Sequence, residues 1–114
     1  MKTSDIDSAT LNATSAFMER IVGKYSIAGA ILFGSRARRT HSHDSDADVA
    51  VLLRDHSDID MATRLEMADI AFDVLMDTGV LVTPVPIRMD ELAHPETHSN
   101  PAFIKNILKD GVRL

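Results

Sequence analysis

Two short groups of residues near the middle of the chain could do chemistry together. Gly34 and Ser35 follow an apolar run, and ten residues separate Ser35 from Asp46. A glycine lets the backbone turn tightly and come close to a ligand. The residues after it can begin a helix, whose free N–H groups favour phosphate oxygens. The glycine–serine pair therefore predicts a phosphate-binding turn, to which the Ser35 hydroxyl adds a donor.

The second group is a pair of carboxylates. Asp46 and Asp48 are two residues apart, so on an extended chain their side chains point to the same side. Neighbouring carboxylates repel each other unless a cation lies between them, and Mg²⁺ suits such oxygen ligands best. Beside a phosphate-binding turn, the pair predicts metal-assisted phosphoryl or nucleotidyl transfer. Arg36, Arg38 and Arg39 would supply positive charge near a triphosphate, a use that we favour over a nucleic-acid patch.

The apolar pattern predicts the elements that must position these residues. Continuous apolar runs predict buried strands, and apolar residues three or four apart predict amphipathic helices. Ser57 is the predicted cap of a long helix that ends at Gly79. The other predicted elements are strands at 27–33, 48–53, 80–87 and 112–114, and helices at 11–24, 90–93 and 100–109.

The long helix is the clearest element in the sequence. Strands 48–53 and 80–87 flank it, which suggests a crossover unit. Two prolines in the later strand place that strand at a sheet edge or interrupt it. We expect an α/β (α+β) fold, with a small mixed sheet flanked by helices. The apolar residues that predict the long helix recur at steps of four, three, four and three: Met61, Leu65, Ala68, Phe72 and Leu75.

Size and composition fit one small globular domain over residues 1–114, with residues 1–10 frayed. The chain has 114 residues, of which 45% are hydrophobic and 25% charged. A net charge of −5 argues against direct nucleic-acid binding. The lack of cysteine excludes thiol chemistry and thiolate metal sites. No apolar run approaches the roughly 20 residues of a membrane span. We therefore expect no membrane association and a cytoplasmic location.

The central motif resembles that of a known family. Gly-Ser-x(10)-Asp-x-Asp, within Gly-Ser-Arg-Ala-Arg and Ser-Asp-Ala-Asp-Val-Ala-Val, resembles the minimal nucleotidyltransferases (MNT) of the DNA polymerase β-like nucleotidyltransferase superfamily. The resemblance is specific over residues 27–54. It implies the nucleotidyltransferase fold, ATP as nucleotide donor, Mg²⁺, and transfer of a nucleoside monophosphate onto a hydroxyl. It further implies catalytic, metal-binding roles for Asp46 and Asp48, and nucleotide binding by Gly34, Ser35 and Arg38.

The resemblance also implies a protein partner. Many MNT proteins are encoded beside a HEPN-domain ribonuclease toxin and act as its antitoxin, some by attaching AMP to a tyrosine of the toxin. Self-association is a further expectation that the sequence leaves open.

One position departs from the family pattern. Active members usually carry a third carboxylate on the strand after the long helix, but residues 80–87 contain no Asp or Glu, and Thr83 stands near the expected place. Two carboxylates can hold one metal ion, but a second ion and a catalytic base would be missing. Asp90, beyond the strand, is the best substitute that the sequence offers.

The histidines and the single tyrosine have several interpretations. His41 and His43 could form a separate metal site, contact the ligand or partner, or belong to a solvated loop, which is the reading we favour. Tyr25 could be a target of self-modification, although packing at a helix end is the simpler role.

Three hypotheses follow. The first is a Mg²⁺-dependent nucleotidyltransferase (a protein adenylyltransferase) that moves AMP from ATP to a partner, with a HEPN toxin as the expected partner. The second is a module with weak or lost activity that neutralises its partner by binding. The third is transfer to an antibiotic or a sugar, which would normally require a further domain or a dimer to form the acceptor pocket.

Overall fold

The computed structural model describes residues 6–54 and 58–114. The strands are β1 (Ile27–Phe33), β2 (Ala47–Leu53), β3 (Val82–Arg88) and β4 (Val112–Arg113). The helices are α1 (Ser8–Ile21), α2 (Ser35–Arg38), α3 (Met61–Thr78), α4 (Met89–Ala93) and α5 (Pro101–Asp110), with a 3-10 turn at Pro95–Thr97. Strand β1 coincides with its prediction, and the other predicted elements form with ends that shift by a few residues.

The strands form one mixed sheet in the order β3-β2-β1-β4. Strand β1 is antiparallel to β2 and β4, whereas β2 and β3 are parallel. Because parallel neighbours need a long connection, α3 crosses over between them. The crossover and the mixed sheet are confirmed. Pro84 and Pro86 lie in the edge strand β3, where a missing N–H costs the sheet least.

The sheet is covered on both faces. Successive strand residues point to opposite faces, so Val49 and Val51 of β2 pack with α1 and α3, while Ala50 and Leu52 pack with α5. Every residue of β2 except Asp48 is buried. The exception is a carboxylate near the start of a central strand, at a position where core packing would favour an apolar residue.

Two helix starts differ from the sequence prediction. Helix α1 begins at Ser8 because the Asp7 side chain accepts a hydrogen bond from the Thr10 backbone N–H, so the prediction of fraying is wrong for residues 6–10. Helix α3 begins at Met61, where Asp60 accepts from the Thr63 N–H at 2.8 Å. The predicted cap Ser57 and residues 1–5 lie outside the described residues. Helix α3 ends at the predicted Gly79, whose φ of 80° suits glycine.

The buried face of α3 is not the periodic set that predicts the helix. The residues that α3 buries are Met67, Ile70, Ala71 and Val74. Leu65 and Phe72 of the predicted set are exposed instead. Among the described residues, no helix is long and apolar enough to cross a membrane.

Candidate active site

The two predicted carboxylates lie at the start of β2. Asp46 immediately precedes the strand and Asp48 is its second residue, so both side chains project from the same face. Asp46 is exposed and Asp48 is partly buried. The structure therefore brings together the pair that the sequence predicts, at one end of the sheet.

The glycine turn lies directly against the second carboxylate. Gly34 follows β1, has a φ of 77°, and would place any Cβ atom in overlap with the Asp48 carboxylate. Strand pairing explains this approach, because Phe33 is the register partner of Asp48. Ser35 then begins the short helix α2. The turn and the carboxylate pair thus form one site, and only glycine fits the turn.

Strand β3 brings Thr83 to the same site. Thr83 is the register partner of Asp48 in the parallel pair, and its hydroxyl donates a hydrogen bond to Asp46 Oδ2 at 3.3 Å. This is the place at which the family resemblance implies a third carboxylate. A hydroxyl in that place cannot accept a proton as a carboxylate would, nor bind a second cation strongly.

The expectation that Asp90 replaces the third acid is wrong. Asp90 lies in α4, beyond Arg88, whereas Thr83 lies near the opposite end of β3. The five strand steps from Thr83 to Arg88, at about 3.3 Å each, already separate the α4 end of β3 from Thr83 by about 16 Å. Its carboxylate faces Arg88, with 3.4 Å between Asp90 Oδ1 and Arg88 Nε.

The electrostatics of the site favour a bound cation. Burial raises the pKa of Asp48 above its ordinary value, the negative charge of Asp46 raises it further, and Arg38 partly offsets both effects. The charged form of Asp48 is therefore held at a cost that a cation between the carboxylates would relieve. Two carboxylates on one face are oxygen donors of the type that Mg²⁺ prefers, and two of them can supply ligands for one ion. Among the described residues, no group of three or more acids and histidines could hold a metal.

The arginines of α2 divide into two roles. The Arg36 side chain is buried and donates to Ser45 O at 2.8 Å, His43 O at 3.2 Å and Thr10 Oγ1 at 2.7 Å. The prediction that Arg36 supplies charge for a triphosphate is therefore wrong, because its guanidinium fastens the following loop to α1. Arg38 is exposed and lines the site, and Arg39 is exposed at the left-handed end of α2 with a φ of 60°.

The loop between α2 and β2 is also fastened through His41. Its Nε2 atom lies 3.2 Å from Asp7 Oδ1, and its ring is mostly buried. Burial alone would raise the pKa of Asp7, but hydrogen bonds from Thr10 and the positive charges of His41 and Arg36 lower it. His43 is almost fully exposed beside Asp44. The two histidines thus differ in environment, and the structure does not join them in a metal site.

Tyr25 has a structural contact. Its hydroxyl donates to the Glu66 carboxylate of α3, and burial together with that carboxylate raises the pKa of Tyr25 to about 12. A phenol so firmly protonated is a poor nucleophile, which favours the packing role of Tyr25 over self-modification.

Helix α5 supplies a wall of the site that the sequence analysis missed. A cavity of about 120 Å³ is lined by Gly34, Arg38 and Asp48 on one side and by α5 on the other. The Phe103 ring packs edge-on against Phe33, with 5.6 Å between the centroids. The signal was present, since the α5 residues of the wall recur at helical spacing: Phe103, Asn106, Ile107 and Asp110.

Comparison with known proteins places the chain in a family. The family model "Polymerase beta, Nucleotidyltransferase" matches residues 15–114. The chain therefore belongs to this nucleotidyltransferase family and has an MNT-like nucleotidyltransferase fold. No match was found among curated proteins.

Two solved structures share the fold. One is a toxin-antitoxin crystal structure with AMP-PNP, with a TM-score of 0.61 and 20% identity over 90% of this chain and 69% of that chain. The other is a candidate nucleotidyltransferase from Sulfolobus solfataricus, with a TM-score of 0.54 and 18% identity over 94% of this chain and 86% of that chain. At these identities the likeness concerns the fold.

Proposed function

We propose that this protein is a Mg²⁺-dependent nucleotidyltransferase that moves AMP from ATP to a hydroxyl of a partner protein, as the antitoxin of a HEPN ribonuclease toxin. The observation that carries the proposal is the contact between the Gly34 turn and the Asp48 carboxylate. This contact joins a candidate phosphate-binding turn to a candidate metal-binding pair in one cleft. The toxin-antitoxin structure with AMP-PNP supports both the nucleotide and the kind of partner.

The residues of the cleft have separate roles in this proposal. The Gly34 and Ser35 turn and the exposed Arg38 receive the triphosphate. Asp46 and Asp48 hold Mg²⁺, which would neutralise charge on the phosphates. Phe103 and Asn106 of α5 form the wall against which the nucleoside lies. The cavity encloses about 120 Å³, so part of the nucleotide and the acceptor would lie in the open cleft.

The proposed reaction is a displacement at the α-phosphorus of ATP. The acceptor oxygen forms a bond to the α-phosphorus. The bond between the α-phosphorus and the oxygen that bridges it to the β-phosphate breaks, and pyrophosphate leaves. The acceptor proton passes to water or to a nearby acid. Asp110, the one acid of α5, lines the same cavity as Asp48 and is exposed, so it is placed to take that proton.

The experiment is the intact mass of the chain and of its proposed HEPN toxin partner, after incubation with ATP and Mg²⁺. We expect the toxin to gain one or more AMP groups, and Asp46→Ala or Asp48→Ala to abolish the gain. Asp44→Ala is the matched control, because Asp44 is an exposed acid of the same loop that pairs only with His43 among the described residues. A toxin of unchanged mass with the wild-type chain would refute the transfer.

Thr83 favours a second candidate function. The hydroxyl at the place of the third carboxylate leaves the metal pair without its usual companion. The chain would then neutralise its toxin by binding, with transfer weak or lost. A complex that survives Asp46→Ala and still inhibits the toxin, with no mass gain under any condition, would favour this function.

A further inference from the structure

Helix α3 presents an apolar row to solvent. Met61 is 66% exposed, Leu65 59%, Phe72 57% and Met76 70%. These four residues, here called the α3 stripe, make up most of the exposed large apolar side chains in the described part of the chain. The other two are Val22 and Leu108, which lie in separate elements. Single exposed apolar residues are ordinary, but a continuous row of long side chains indicates an interaction surface.

The α3 stripe is continuous along one side of the helix. Its members are four, seven and four residues apart, which keeps them within roughly 60° of one another on the helix surface. The buried residues Ile70 and Val74 lie on nearly the opposite side. The stripe spans Met61 to Met76, which is about 22 Å or four helical turns. It therefore matches in length a partner helix of about 15 residues.

One edge of the α3 stripe is acidic. Asp69 and Asp73 follow the stripe along this edge and are exposed. Neither carboxylate forms a hydrogen bond or an ion pair with any residue that the structure describes. Beyond them on the same side, Glu66 accepts from Tyr25 and Asp77 pairs with Arg20 of α1. The two acids nearest the stripe are thus available to a partner.

The charges argue against a second copy of this chain as the occupant. In an antiparallel pair related by a two-fold axis, the acidic edge of one α3 would face the same edge of the other. Asp69 and Asp73 would then repel their counterparts. In a parallel pair, the acidic edge would face the opposite edge, on which Arg64 is the only base. The antiparallel pair neutralises neither acid, and the parallel pair offers one base for two acids.

We infer that the α3 stripe binds a helix of a partner protein whose apolar face is bordered by lysine or arginine. Leu65, Phe72 and the two methionines bury the partner's apolar side chains, and the flexible methionines adapt to its surface. The basic border of the partner meets Asp69 and Asp73. This inference needs a protein partner but no nucleotide transfer, because α3 and the α5 wall of the cleft lie on opposite faces of the sheet.

The test uses two synthetic helical peptides of 18 residues. Both carry leucine along one face, bordered by lysine in one peptide and by glutamate in the other. We expect the lysine peptide to bind the wild-type chain, and Leu65→Glu with Phe72→Glu to weaken it at least about tenfold. Leu108→Glu is the matched control and should bind as wild type, since Leu108 is an exposed leucine of α5.

A charge reversal completes the test. Asp69→Lys with Asp73→Lys should weaken the lysine peptide and strengthen the glutamate peptide. Equal binding of both peptides by all variants, or no binding by the wild-type chain, would overturn the inference. Sedimentation that shows a wild-type dimer lost in the Leu65→Glu, Phe72→Glu variant would identify a second copy as the occupant and would also overturn it. These measurements use neither ATP nor toxin, so they fail independently of the proposed function.

Discussion

Asp48 is the residue whose position and charge most define the candidate site. It stands in the most buried strand of the sheet, where an apolar residue would pack better, and it touches the Gly34 turn. Its raised pKa has two causes that act together, burial and the charge of Asp46. A carboxylate in this environment lowers the stability of the protein without a cation, and a bound cation would offset that cost.

The first prediction is that Asp48→Asn makes the protein more stable at pH 7. The folded-state pKa of Asp48 lies above its unfolded value, so folding disfavours the charged form. This penalty is absent where the carboxyl is protonated and grows as the pH rises through the folded-state pKa. In urea unfolding, the free energy of unfolding of the variant should therefore rise relative to that of the wild type between acid and neutral pH. A variant that is less stable than the wild type at pH 7 would contradict this.

The second prediction concerns Thr83. Thr83→Asp places a carboxylate beside Asp46, where the family resemblance implies one. We expect AMP transfer to rise at least about tenfold, because a positioned base contributes that much or more. The Mg²⁺-free variant should be less stable, since three acids then repel one another. Thr83→Asn is the control, and a transfer rate that is equal in the two variants would count against the third-acid role.

At the scale of elements, α2 and the loop after it hold the site in shape. Arg36 joins α2 to the loop carbonyls of His43 and Ser45 and to Thr10 of α1. The neighbouring Arg38 makes no such contact within the described residues and faces the cleft. Of these two arginines, Arg36 thus holds the loop in place, and Arg38 is the one that we propose binds the nucleotide.

The third prediction separates these roles by matched substitution. Arg36→Met should lower the free energy of unfolding by about 3 kcal/mol, because it leaves several buried acceptors without donors. Arg38→Met should leave stability nearly unchanged and weaken ATP binding about tenfold, through loss of a charge-assisted contact. Thermal unfolding and calorimetric titration measure the two effects. Similar losses of stability in both variants would show that the assignment is wrong.

The elements themselves were largely predictable, because their signals are local. The apolar run 27–33 forms β1 as predicted, and the prolines of β3 place that strand at the edge. The buried face of α3 was not predictable, since α3 carries apolar residues on two sides and only tertiary packing selects one. The prediction for Asp90 was wrong for a related reason. Asp90 is close to β3 in the sequence, but it follows the end of that strand, whereas the site lies near its start.

At the scale of the whole molecule, two surfaces are separate. The cleft lies between the start of β2 and α5. The α3 stripe lies on the solvent-exposed side of α3, which packs on the other face of the sheet. A partner held along α3 would leave the cleft open to nucleotide. The sequence pattern identified the residues of the carboxylate pair and the turn. It also predicts helix α5, but only the packing of α5 against β1 shows that this helix forms a wall of the cleft.

The fourth prediction follows from this separation. Leu65→Glu with Phe72→Glu should weaken the complex with the proposed HEPN toxin at least about tenfold and leave ATP binding unchanged. Asp46→Ala should weaken ATP binding and leave the complex with the toxin unchanged. Pull-down with purified toxin and calorimetry with ATP measure the two properties. Loss of both properties in either variant would show that the surfaces are coupled or that the variant is unfolded, which circular dichroism distinguishes.

The most direct measurement for the central claim is calorimetric titration of the chain with a non-hydrolysable ATP analogue, with and without Mg²⁺. If the Gly34 turn and the two carboxylates form a nucleotide site, Mg²⁺ should strengthen binding at least about tenfold in the wild type. Asp48→Asn should remove that strengthening, while Asp44→Asn should retain it. Binding that is absent, or that is equal with and without Mg²⁺ in the wild-type chain, would contradict the assignment of this cleft.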